Sequence, residues 1–196
     1  MSPLRPAVRL RTAAFVLAFA LPIVLAPRMG RAEPLAFAAR VGASGGGTSW
    51  PDDPVLLGDG ALGLRVSDWI GVEVLGRVGY GAVDERLLAM VGLGGAVAIP
   101  TGTAFSPTIR FAAIHQHETP VDVLHHDWFG HVVGVGDGIR HRFGGEAALG
   151  VRARVLEDDG LAFHLGIEGL VDAFPDDRGP TLLAGGGLTL GAELDL

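Results

Sequence analysis

The chain has 196 residues, 48 % of them hydrophobic, no cysteine and no lysine, and a formal net charge of −7. Its acidic balance excludes a nucleic-acid partner, which needs a basic surface to displace counterions. The missing cysteines exclude a disulfide framework, so any stability comes from the fold itself.

Arg5, Arg9 and Arg11 precede an apolar run over 12–26, and Gly30-Arg31-Ala32 offers small residues around a cut. A basic start, an apolar middle and a small-x-small exit predict a secretory signal peptide over 1–32. The run falls short of the ~20 residues a membrane helix needs, and Pro22 and Pro27 interrupt the competing reading, an uncleaved anchor. Cleavage removes five of the 15 basic residues and none of the 22 acidic ones, leaving a mature chain, 33–196, with a net −12.

From there the sequence alternates apolar with polar or small residues in eight stretches, predicting strands over 35–44, 60–67, 69–80, 86–98, 105–117, 138–155, 161–173 and 181–196. A period of two sends neighbouring side chains to opposite faces. Ile70, Val72, Val74, Val78 and Tyr80 thus share a face against Glu73 and Arg77. Leu161, Phe163, Leu165 and Ile167 stand against His164 and Glu168. In the last stretch Leu188, Leu190, Ala192, Leu194 and Leu196 lie on one face and Thr189, Glu193 and Asp195 on the other. These stretches exceed the five or six residues of an ordinary strand and suit the ~9–11 of a tilted membrane strand.

The connections alternate in length. Ser67-Asp68, Pro100-Thr101-Gly102-Thr103 and Glu157-Asp158-Asp159-Gly160 read as tight turns on one side. Two long loops, 44–59 and 118–137, and two shorter ones, 81–85 and 175–180, fall on the other. Gly45-Gly46-Gly47 reads as flexible loop, and Asp52-Asp53 and Asp176-Asp177 as solvated loop carboxylates. Trp69 and Phe105 fall where an inner aromatic girdle would lie, and Tyr80, Trp128 and Phe174 near an outer one.

Short inner turns, longer outer loops and an apolar outward face resemble the small eight-stranded outer-membrane barrels, the group of the OmpA transmembrane domain and OmpX. The resemblance implies an all-β, eight-stranded antiparallel up-and-down transmembrane barrel over 33–196, exported to the bacterial outer membrane. It implies outer-membrane lipid and the barrel-assembly machinery as partners, with an extracellular ligand or envelope partner at the loops. Such barrels usually end in an aromatic residue; Leu196 keeps the apolar parity without the ring.

On this register Arg40, Arg65, Glu73, Arg77, Arg110, Glu146, Arg152, Glu168 and Glu193 point inward. Eight strands enclose only enough room for side chains, and an unpaired charge there costs several kcal/mol. The nine residues are therefore expected to pair into a lattice that plugs the barrel, with a gated ion path as the functional alternative.

Five of the seven histidines fall between His115 and His131. His115 and His117 share a strand face, and His125 and His126 lie in the following loop. Imidazoles so gathered form a candidate zinc or copper site; a solvated loop is the plainer alternative. No residue carries a catalytic motif. Ser106 lies nine residues, roughly 30 Å of strand, from His115, and Ser44, Ser49 and Thr119 make no recognisable arrangement with a histidine. The expected function is a structural or surface-interaction barrel. A lipid-modifying enzyme of the outer membrane and a soluble, lipocalin-like exported barrel with a ligand inside are the alternatives. The soluble barrel would reverse the parity, with charges outward and apolar side chains within.

Overall fold

The computed structural model describes residues 35–67, 69–123, 129–130, 132–135, 138–176 and 178–196. The proposed leader lies outside the described residues, as do Trp128, His125, His126 and His131. Eight strands follow in chain order: β1 Ala36–Thr48, β2 Pro54–Arg65, β3 Ile70–Gly81, β4 Arg86–Ala98, β5 Phe105–Pro120, β6 Arg140–Asp158, β7 Leu161–Ala173 and β8 Leu182–Asp195. Each pairs antiparallel with the next, and β8 returns to β1 to close the barrel. Closure leaves no strand edge unpaired. Among the described residues no helix is long and apolar enough to cross a membrane.

The turns follow from local chemistry. Asp159 and Gly160 carry positive φ values of 42° and 80° between β6 and β7. That is the backbone of a two-residue hairpin, which an Asp-Gly pair supplies at little cost. At the β2–β3 turn the Ser67 hydroxyl accepts from the Ile70 amide at 3.1 Å. At the β4–β5 turn the Thr101 hydroxyl accepts from the Thr103 amide at 3.3 Å.

The first outer connection differs from the long loop expected over 44–59. β1 runs on to Thr48 and β2 begins at Pro54, so only five residues, 49–53, connect them. Gly45-Gly46-Gly47 is therefore strand. A Cβ on Gly46 would sit 2.0 Å from the Ala184 carbonyl oxygen, and one on Gly187 would sit 2.1 Å from that of Ala43. Glycine is used here because β1 and β8 approach too closely for side chains. Poor strand propensity hid the strand; the crowding that demands glycine involves residues some 140 positions away in sequence.

The alternation sorts the two faces. Outward positions carry Leu62, Val74, Leu93, Leu149, Ile167 and Leu190, each more than half exposed. Inward positions carry the charged residues and a set of buried apolar ones, including Leu57, Leu75, Leu88, Met90, Ile114 and Leu170. The soluble-barrel parity is thus reversed: apolar surface faces out. A soluble monomer rarely exposes an apolar patch beyond a few hundred Å².

Candidate functional site

The interior is organised by charge. All nine residues read from the sequence lie on inward-facing positions. Six form a connected middle group. Arg77 bridges Glu146 at 2.6 Å and Asp172 at 2.9 Å. Arg110 reaches Glu73 at 2.9 Å, Glu146 at 3.2 Å and Glu168 at 2.6 Å. Arg40 joins Glu168 at 3.3 Å and Asp59 at 2.9 Å. The remaining three sit at the inner end, where Glu193 pairs with Arg152 and lies 3.6 Å from Arg65, which also binds Asp195 at 2.7 Å.

Asp59, Asp172 and Asp195 were not among the nine, although each continues an inward parity. A third, outer group was missed altogether. Arg86 pairs with Asp53 and lies 3.9 Å from Glu118. Glu118 also binds Arg140 at 2.9 Å and Arg142 at 2.8 Å, and Arg142 reaches Asp176 at 2.9 Å. Asp53 and Glu118 had been read as loop residues, and Asp53 as solvated. Asp53 is in fact buried. Burial alone pushes its carboxyl up, but hydrogen bonds from Arg86, Thr48 and the Val83 amide, with the Arg86 charge, outweigh this and hold it below its ordinary value. Asp176 is held low in the same way by Arg178 and Arg142 against the opposing effect of burial.

Two rings flank the outer group. The Arg86 guanidinium lies 4.8 Å from the Trp50 ring and that of Arg142 lies 4.3 Å from the Phe174 ring. Phe174 is accordingly not in an outer girdle: it continues the inward parity of β7 and is buried. Tyr80, Trp69 and Phe105 do lie on the outside.

Below the middle group the wall is lined by small residues such as Ala38, Gly63, Gly71 and Gly191, leaving a cavity of about 130 Å³. Arg40, Glu73, Arg110, His164, Glu168 and Glu193 border it. That is well above the ~10–15 Å³ one water occupies by the same measure. Above it Arg77, Glu146 and Asp172 are almost wholly buried and fill the cross-section with Leu57 and Leu75.

A charged interior, an apolar exterior and eight closed antiparallel strands can be set against known structures. The fold is similar to the crystal structure of Neisserial surface protein A (TM-score 0.53, 12 % identity, covering 83 % of this chain and 97 % of that one). It is also similar to the N-terminal β-barrel domain of Pseudomonas aeruginosa OprF (TM-score 0.50, 14 % identity, covering 84 % and 100 %). The chain has the fold of the eight-stranded outer-membrane barrels. No family model matches the sequence, and no curated protein is significantly similar to it.

On the barrel's exterior, histidines form a second site. His115 and His117 face outward from β5, and the β5–β6 register sets His117 opposite His141. The ligand nitrogens of these three lie within 4.8 Å of one another, with His141 Nδ1 3.4 Å from His115 Nε2. The expected ligand set is thereby altered. His115 and His117 come together with His141, which β6 supplies, whereas His125 and His126 lie outside the described residues. Two of the residues considered as nucleophiles, Ser44 and Ser106, do not join this site. Ser44 is buried and faces inward, and Ser106 sits near the opposite end of β5.

Proposed function

We propose that this protein is an exported barrel of the bacterial outer membrane, closed to ions, whose role lies in structure and in contacts made by its outer connections. One observation carries this reading: the exterior is apolar while the interior is filled by three groups of ion pairs. An apolar exterior is what lipid requires of a closed sheet. A cross-section occupied by Arg77, Glu146, Asp172 and Leu57, each under 6 % exposed, supports an interior closed to ions. Only one outer connection is long, 121–139, so contacts with an extracellular or envelope partner concentrate there.

The test has two readouts on the full chain expressed with its leader. Fractionation with outer membranes, together with different gel mobility before and after boiling, is expected. Reconstitution in planar bilayers is expected to give no conductance above the lipid background. A soluble periplasmic fraction overturns the membrane reading, and stepwise single-channel currents overturn the closed interior.

A further inference from the structure

We propose that His115, His117 and His141 bind a single zinc ion on the outer wall of the barrel, with water as the fourth ligand. The argument starts from where the three sit. Leaving aside the end of β6 beyond its bulge, they and Tyr80 are the only titratable side chains at outward-facing strand positions among the described residues. Their neighbours on that face are Phe111, Ala113, Phe143 and Ala147. Three imidazoles grouped on an apolar wall bear a desolvation cost, with no partner of opposite charge at those outward strand positions among the described residues.

The geometry suits one ion. Zinc–nitrogen bonds of ~2.0–2.1 Å at tetrahedral angles set the ligand nitrogens ~3.3–3.4 Å apart. The His141–His115 pair, at 3.4 Å, already has that spacing. The other separations lie within 4.8 Å, so ring rotation has at most about 1.4 Å to close. His115 and His117, with centroids 4.6 Å apart, lie at 86° to one another, and His117 and His141, 4.8 Å apart, at 71°, so these pairs are edge-on instead of stacked flat. Edge-on rings let nitrogens from different planes converge.

The surroundings orient the ligands. The Phe143 ring stacks on His115 at 4.2 Å, with 24° between the planes. His117 hydrogen-bonds through one nitrogen to the main chain of Val132, leaving its other nitrogen for an ion. A main-chain bond of this kind fixes tautomer and ring orientation in metal-binding histidines. The third outer connection lies over His117 so closely that a Cβ on Gly134 would stand 2.1 Å from the ring, and Gly134 has a φ of +80°. Glycine there lets the segment cover the ring. Three neutral imidazoles and no carboxylate select zinc over calcium or magnesium. The bound ion cross-links the outer ends of β5 and β6 where the long connection leaves the wall.

The experiment titrates the full barrel, refolded in detergent and shown folded by its heat-dependent gel shift, with Zn²⁺ against a chromophoric chelator and separately with Co²⁺. One zinc per chain is expected, with the intense visible bands of four-coordinate cobalt. Loss of a ligand should weaken binding by more than the ~10–100-fold typical of an outer-shell change, so His141→Ala should lower affinity by at least ~100-fold. A second variant, His115→Gln, repeats the test with a side chain of similar length. His125→Ala/His126→Ala should leave affinity and the cobalt spectrum unchanged. The proposal is overturned if His141→Ala and His115→Gln bind like the wild type. It is equally overturned if binding vanishes with His125 and His126 instead, or if cobalt shows only weak six-coordinate bands.

Discussion

Arg77→Met tests the charged interior most directly. Arg77 is 5 % exposed and holds two carboxylates whose side chains are fully buried, Glu146 and Asp172. Methionine replaces the bulk of the stem and removes the charge. Glu146 keeps Arg110 at 3.2 Å, but Asp172 has no other ion pair among the described residues. Breaking a buried pair by deleting one partner costs ~3–5 kcal/mol, and because one of the two carboxylates retains a partner we expect about 3 kcal/mol. Arg154→Ala is the control. It removes a pair with Glu157 whose side chains are 52 % and 60 % exposed, for which ~0–1 kcal/mol is expected. The double variant Arg77→Met/Asp172→Leu removes both charges and should recover most of the loss, because an apolar replacement of a whole buried pair is often close to neutral. The assay is reversible urea unfolding in lipid vesicles, followed by the fluorescence of the three tryptophans. The reasoning fails if Arg77→Met costs no more than Arg154→Ala, or if the double variant is no more stable than the single one.

Two further outcomes follow from the geometry. Gly46→Ala, whose Cβ would meet the Ala184 carbonyl at 2.0 Å, should sharply reduce the yield of heat-shiftable barrel, whereas Gly45→Ala, with its nearest atom at 3.9 Å, should fold normally. Equal yields on a refolding gel would remove the close-approach account of the seam. Asp53 is held below its ordinary 3.8 in the folded chain, so its contribution is fully present above 3.8 and is lost as pH falls through the folded value. Asp53→Asn should therefore unfold at lower urea than the wild type near neutrality, with the gap narrowing below 3.8; a gap constant down to pH ~2 contradicts this.

Much of the barrel was legible because its exterior and interior differ so sharply that period-two alternation survives in most strands. β3, β4 and β7 begin and end within a residue of the sequence expectation. The alternation fails where glycine replaces both kinds of residue, as at Gly45-Gly46-Gly47, and there β1 and β2 were cut short. The nine interior charges named from parity lie at inward positions, whereas Asp172 and Asp195 share that parity within recognised strands and were passed over. Asp53, Arg86, Glu118, Arg140 and Arg142 escaped as a group because two of the acidic members fell in segments read as loops. His141 escaped for a different reason. Its approach to His117 depends on how β5 and β6 align across 23 residues of intervening chain, and no local pattern encodes that alignment.

The glycine-rich closure has a consequence for how the chain finds its alignment. Gly45, Gly46 and Gly47 face Gly186, Gly185 and Ala184, so the outer part of the seam has almost no side chains to distinguish one pairing from its neighbour. A slip of two residues would keep every inside position inside, and alternation alone would not oppose it. Contacts at the two extremities therefore help to fix the alignment. At one, the Ser49 hydroxyl accepts from the amides of Thr181 and Leu182, and the Ser49 amide donates to the Leu182 carbonyl. At the other, Arg65 grips Asp195 and the Leu196 amide donates to the Leu35 carbonyl. The seam thus behaves like a zip whose outer teeth are smooth and whose ends carry catches, and trimming the outer catch frees that stretch to fasten one notch out.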